Sequence, residues 1–276
     1  VIDGFDTAAF VAATLAEDLG TCGDITSNAV IPADARLDAV MASRDDVVLA
    51  GIALAEGFFQ ALDPECRLER LVADGTAVPA GTAILRISGN ARALLAAERS
   101  ALNTVQHLTG IATVTRSYVE AIAGTGAVLL DTRKTLPGLR ALEKYATLMG
   151  GATNHRLRLD DGVMIKDNHI AVAGGVEPAV RAAKAAGLQG VVVEVDRIDQ
   201  IEPAISAGAD RLLLDNMDVP TLRAAVALVA SRVPTEASGG VRLDTIRAIA
   251  ETGVTFISVG RITQSAPAAD IGLDFA

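Results

Sequence analysis

The chain has 276 residues, a formal net charge of −10, a pI near 4.8, and 3% aromatic residues with no Trp. That length suits one large α/β unit or a barrel with a smaller domain, and the acidic balance with so few rings argues against nucleic acid as a partner. Mean hydropathy is +0.37, but Ala and Val supply much of it and no apolar run approaches the ~20 residues that span a bilayer, so no membrane role is expected.

The N-terminal VIDGFDTAAF has no basic stretch followed by an apolar core, which reads as no secretory signal and makes the cytoplasm the expected setting, although the first residue is not Met. Spaced apolar residues in AAFVAATLAEDLG predict a helix. Cys22 and Cys66 fit neither a disulfide framework nor a zinc site and read as free thiols. Short runs, RLDAVMASR (36–44), DVVLAG (46–51), RLERLVAD (67–74) and TAILRIS (82–88), predict strands separated by DPE and DGTAVPAG turns. ARALLAAERSALNTVQHLTGIATVTRSYVEAI follows as a long helical segment in good helix formers. The character changes near residue 110. From residue 127, apolar runs of strand length alternate with Ala-rich stretches of helix length, the pattern of βαβ units and a parallel sheet. The strand candidates are AVLLD (127–131), GVMIK (162–166), GVVVEV (190–195), DRLLLD (210–215), PTEAS (234–238) and TFISVG (255–260), nearly continuously apolar as strands buried on both faces are. Six strands fall short of an eight-stranded barrel and leave an open barrel or a doubly wound sheet as the two readings.

In a net-acidic chain, residues 131–170 concentrate cations: Arg133, Lys134, Arg140, Lys144, His155, Arg156, Arg158, Lys166 and His169. Such a concentration argues for a pocket that takes a small, multiply charged anion. Asp131, Lys166, Glu194, Asp215, Ser238 and Gly260 each stand where an apolar run stops, and in a barrel those strand ends meet around one cavity. Glu194 inside VVVEV is costly unless paired. Asp215 could equally cap the next helix, with Asp218 competing for that position. Lys166 could be a Schiff-base nucleophile or a fixed cation against a substrate carboxylate or phosphate, and its cationic neighbours favour the second. His107 and His169 read as hydrogen-bonded structural imidazoles, a reading less suited to His155 in its polar loop. Ser238, Gly239 and Gly240 lie between a strand and a helix whose first turn would offer free N–H groups to an anion. Gly260, with Arg261 and Thr263 behind it, ends the last strand; tight turns are the alternative for both loops.

In order, DTRKTLPGLRALEKYA, GGATNHR, MIKDNHI, VEVD, LLLDNM, EASGGV and ISVGRIT resemble the quinolinate phosphoribosyltransferases, as do EDLGTCGDITS and AERSALNTVQHLTGIAT before them. The likeness runs from about residue 15 to the end; Thr21 and Cys22 interrupt the usual acidic-glycine turn, and LRLDDG replaces a more hydrophobic loop. The resemblance implies the type II phosphoribosyltransferase fold, an N-terminal α/β sandwich domain (residues 1–110, joined by the tail 266–276) and an incomplete (β/α) barrel (residues 111–265). It implies transfer of phosphoribosyl from phosphoribosyl pyrophosphate to quinolinate with decarboxylation and Mg²⁺, a step of NAD synthesis. It further implies a homodimer with shared sites, or a hexamer of such dimers. Quinolinate would be bound by Arg99, Thr132, Arg133, Lys134, His155, Arg156 and Lys166. Lys134, Lys166, Glu194 and Asp215 would form the catalytic set, the two acids also holding the metal indirectly through water. Phosphate would lie at Ser238, Gly239, Gly240, Ser258 and Gly260. A Schiff-base barrel lyase using Lys166, a related phosphoribosyltransferase-like protein of molybdenum transport and a non-catalytic anion binder are the competing readings.

Overall fold

A computed structural model describes residues 4–275, which group into two compact units. The first takes the chain up to Arg116, the excursion Leu136–Gly151 and the tail from Ser265; the second takes Ser117–Thr135 and Ala152–Gln264. The boundary expected at residue 110 falls inside one uninterrupted helix, Ala91–Ala121. Nothing in composition marks the excursion, because its helix Arg140–Gly150 has the same amphipathic spelling as a barrel helix.

In the first unit, β1 (Arg36–Ser43), β3 (Arg67–Arg70) and β5 (Ala83–Asn90) join β12 (Ile271–Phe275) in an antiparallel sheet of order β12-β1-β5-β3. A two-stranded ribbon, β2 (Val47–Val48) with β4 (Ala77–Val78), lies apart from it. Alternation along β1 and β5 turns Met41, Leu85 and Ile87 into a core shared with Phe58, Phe59, Leu94 and Val11 from the flanking helices. The excursion helix buries Leu142 and Ala146 against Leu108 and Ile111 of the long helix. Gly150 permits that approach: a Cβ there would lie 2.5 Å from Thr115 Cβ.

In the second unit, β6 (Val128–Leu130), β7 (Met164–Ile165), β8 (Val192–Val195), β9 (Arg211–Asp215), β10 (Thr235–Ser238) and β11 (Phe256–Ser258) form a parallel sheet of order β6-β11-β10-β9-β8-β7. From β7 to β11 consecutive strands are neighbours and β6 lies beside β11, the last, which is barrel winding; a doubly wound sheet reverses direction at its middle. Thr153 adds a parallel bridge to Leu130 on the far side of β6, whereas β7 pairs only with β8 among the described residues, so the barrel stays open there. Leu212, Leu213 and Leu214 of β9 and Val192, Val193 and Val195 of β8 are all buried, as near-continuous apolar strands require.

Candidate active site

Register carries the polar strand ends into one place. Glu194, Leu213 and Glu236 are direct partners across β8, β9 and β10, so their side chains leave the same face of the sheet. Asp215 and Ser238 pair two residues further on. They line a cavity of about 820 Å³ with Thr132, Arg133, Lys134, His155, Arg156, Lys166, Gly239, Gly240, Ser258 and Gly260, every lining residue belonging to the second unit.

Lys166 closes β7 one position beyond the Ile165–Val193 pair, which aims it at Glu194, and its Nζ donates to Glu194 Oε2 at 3.0 Å. Asp215 is freed for the cavity because Asp218, not Asp215, caps the next helix, accepting from Thr221 N at 2.9 Å. Burial, and then the charge of Glu194, raise the Asp215 carboxyl above its ordinary value, against a hydrogen bond from Asn216 and the charges of Lys166 and Lys134.

The same cavity is lined by two guanidiniums, Arg133 and Arg156. Burial, and next the charge of Arg133, lower Arg156 from its ordinary value, Asp161 opposing. Arg156 Nη1 donates only to a backbone oxygen, Gly162 O, at 3.0 Å, and Arg133 Nε is buried without a hydrogen-bond partner. Two neighbouring forks with spare donors are the arrangement that takes up carboxylates.

The loop carrying Arg156 is anchored from below. Fully buried Asp131 accepts from His155 N (2.7 Å) and Asn154 Nδ2 (2.6 Å), and His155 Nδ1 accepts from Arg156 N (2.7 Å). His155 Nε2 lies 3.6 Å from Glu236 Oε2, which also accepts from Arg211 Nη1 at 3.2 Å. Burial pushes the Glu236 carboxyl up, but His155, Ser258 and Arg211 outweigh it and leave the group below its ordinary value.

The glycine loops are shaped by close approaches. Gly239 has φ +92°, and a Cβ there would lie 2.2 Å from Asn216 Oδ1; a Cβ on Gly260 would lie 2.7 Å from Lys134 Cδ. Gly260 leads straight into the short helix Arg261–Gln264. The loop after Ser238 does not behave as expected: its helix, Ile246–Ala250, starts six residues past Gly240, after a turn in which Arg242 N donates to Thr245 Oγ1. Two successive left-handed glycines swing the chain away before it can coil. That loop therefore offers its own backbone rather than a helix N-terminus.

The quinolinate phosphoribosyl transferase C-terminal domain profile matches residues 111–274, and the N-terminal domain profile matches residues 24–109. The chain belongs to the quinolinate phosphoribosyl transferase family. Nicotinate-nucleotide pyrophosphorylase (carboxylating), chloroplastic, of Arabidopsis thaliana is 41% identical over 98% of this chain and 82% of its own length. A probable nicotinate-nucleotide pyrophosphorylase (carboxylating) of Synechocystis is 42% identical over 94% of this chain and 89% of its own. Among solved structures, the nicotinate-nucleotide pyrophosphorylase of Francisella tularensis matches with a TM-score of 0.93 at 40% identity, covering 98% of this chain and 96% of that one. The Ehrlichia chaffeensis enzyme matches with a TM-score of 0.95 at 37% identity, covering 99% and 100%. The fold expected from the family resemblance is thus the fold found.

Not every cation of residues 131–170 reaches the cavity. Arg140 and Lys144 sit on the excursion helix of the first unit, Arg158 pairs with Asp160 on an exposed loop, and His169 Nδ1 accepts from Lys166 N at 2.9 Å. His107 likewise has a structural partner, Glu143, at 3.0 Å. Arg99 is exposed on the long helix of the first unit and is not a lining residue. Cys22 and Cys66 are free. Glu236, Asn216, Arg242 and Gln264 line the cavity without having been singled out from the sequence. Glu236 was findable, since an acid in PTEAS meets the same objection as Glu194 in VVVEV.

Proposed function

We propose that this chain transfers the phosphoribosyl group of phosphoribosyl pyrophosphate to quinolinate, giving nicotinate mononucleotide, diphosphate and carbon dioxide. The observation that carries it is the pair of guanidiniums, Arg133 and Arg156, left with spare donors in the cavity that Glu194 and Asp215 also line. Quinolinate brings two adjacent carboxylates, which match two forks and a nearby Lys134, and held so it presents its ring nitrogen. The nitrogen lone pair forms the bond to the anomeric carbon while the bond to the diphosphate oxygen breaks and takes its electron pair with the leaving group. Positive charge gathers on the sugar in between, and Glu194 and Asp215 suit its stabilisation. The quaternised ring then accepts the electrons of the breaking bond to the 2-carboxylate, and a proton replaces carbon dioxide. No protein nucleophile is needed. Lys166 held against Glu194 suits a fixed cation better than a Schiff base.

Among the described residues no group of three or more potential ligands could hold a metal by itself. Two carboxylates, Glu194 and Asp215, fit a Mg²⁺ that keeps its waters and binds mainly through the diphosphate, whose charge it would offset when bound. The glycine loops, with Ser238, Ser258 and Gly260, suit the sugar phosphate. Carbon dioxide released from quinolinate labelled in its 2-carboxylate is the deciding measurement: release that needs both the pyrophosphate donor and Mg²⁺ upholds the reading, and none under those conditions ends it. A molybdenum-transport relative would fail the same assay.

Arg99 is proposed to complete the site of a second subunit, making the homodimer the smallest active form. Mixed Arg99→Ala and Lys166→Ala subunits should then recover close to a quarter of wild-type activity, about what random pairing of one intact site allows; no recovery despite subunit exchange counts against sharing. A cytoplasmic setting is part of the proposal. The described helices include none long and apolar enough to cross a membrane, while the Arabidopsis relative is named as chloroplastic. Cell fractionation checks it.

A further inference from the structure

Glu236 is a deeply buried acid of the cavity wall, with 1% of its side chain exposed, and the chemistry proposed above gives it no task. Its surroundings narrow what that task is. Arg211 reaches it from β9 at 3.2 Å, with its guanidinium carbon 4.2 Å from the centre of the Phe256 ring. His155 approaches from the other side at 3.6 Å, and Glu236 Oε1 has no hydrogen-bond partner. A carboxylate needed only to neutralise Arg211 does not require an imidazole beside it. Since His155 Nδ1 already accepts from Arg156 N, the neutral ring carries its proton on Nε2, the atom that faces Glu236. The ring is thereby a strut: one nitrogen accepts from the main chain of Arg156 and the other faces the buried carboxylate at 3.6 Å, where charge attraction favours that orientation.

We propose that Glu236 is a positioning residue for the pyridine dicarboxylate end of the site, acting through His155 to hold Arg156 in place. This deepens the quinolinate reading and rests on it. Asp131 after β6 accepts from the main chain of His155 and Arg156 N donates to its Nδ1, while Glu236 on β10 brings a carboxylate to Nε2. Replacing it by the isosteric amide keeps the volume but lets a donor face the ring proton, so the strut loses its orientation.

The test has a binding arm and a spectroscopic arm. In Glu236→Gln the KM for quinolinate should rise about tenfold while that for phosphoribosyl pyrophosphate stays within about twofold, because the disturbed contact serves one substrate. In a His155→Gln background the same change should add less than about twofold, since the path through the ring is already cut. Additive effects, or an unchanged KM for quinolinate in a folded Glu236→Gln enzyme, overturn the proposal. A purely structural ion pair with Arg211 would lower the melting temperature without that split. If the variant does not fold, the wild-type protein still decides: with three histidines in the chain, a long-range ¹H–¹⁵N spectrum resolves each ring. His155 must show a protonated Nε2 and an accepting Nδ1, and the opposite tautomer refutes the strut. That spectrum needs no substrate, so it stands or falls separately from the carbon dioxide assay.

Discussion

Two buried acid–histidine pairs, one in each unit, use the same side chains to different ends. In the first unit His107 Nε2 meets Glu143 at 3.0 Å, and both Glu143 oxygens also accept from Leu136 N, at 3.3 and 3.4 Å, so the fully buried carboxylate is satisfied, and neither residue lines the cavity of the second unit. In the second unit His155 and Glu236 stand 3.6 Å apart at a cavity wall, and one Glu236 oxygen is left unmatched. A fully satisfied buried carboxylate stabilises a fold; one with a spare oxygen beside a cavity keeps capacity for something that arrives. Residue types match and both carboxylates are buried, so the difference lies in how completely the surroundings use the carboxylate oxygens.

The sharpest way to break this comparison is to remove what the second pair supports. Arg156→Ala should lower kcat/KM for quinolinate roughly 100- to 1000-fold, the scale of losing a desolvated charge contact, and leave the melting temperature within a few degrees. Steady-state kinetics beside a thermal melt checks both, and a collapse in stability with normal kinetics would reverse the roles assigned to the two regions. Glu143→Ala should do the opposite. It strands His107 and the Leu136 N–H and should cost about 3 kcal/mol in urea denaturation, while the enzyme that remains folded keeps kcat/KM within about threefold.

The smallest expected effect sharpens the comparison through pH. Glu236 lies below the ordinary Glu value of 4.5 in the folded chain, so its contribution to stability is complete above that value and is lost as pH falls through the lower folded one. Glu236→Gln should therefore flatten part of the acid limb of stability below pH 4.5 and leave its slope above pH 6 unchanged. Denaturation midpoints measured at several pH values follow this directly; an unaltered acid limb would mean that Glu236 is not held ionised by its neighbours.

Much of the barrel was legible because strands buried on both faces must be apolar along their whole length, and GVVVEV, DRLLLD and TFISVG spell that out. The polar residue that ends each run then marks the cavity rim, which is how Lys166, Glu194 and Asp215 could be named. Glu236 escaped because PTEAS is less apolar than GVVVEV, although the objection to a buried acid applied to both. The cation cluster was over-read: Arg140, Lys144 and Arg158 share the segment but not the cavity, since proximity in sequence says nothing of which helix face turns where. Likewise the loop after Ser238 promised a helix N-terminus, and only backbone geometry revealed that the chain turns first.

By itself the amino-acid order determined the alternation of strand and helix, the family, and the residues at the strand ends, because period, caps and glycine turns act over a few neighbours. Only the tertiary structure decided that the barrel winds one way and stays open beside β7, that Leu136–Gly151 belongs to the first unit, and which acid meets which histidine. Those outcomes depend on register and on contacts between residues tens of positions apart, where a shift of one residue would carry Glu236 to the opposite face of the sheet and away from His155.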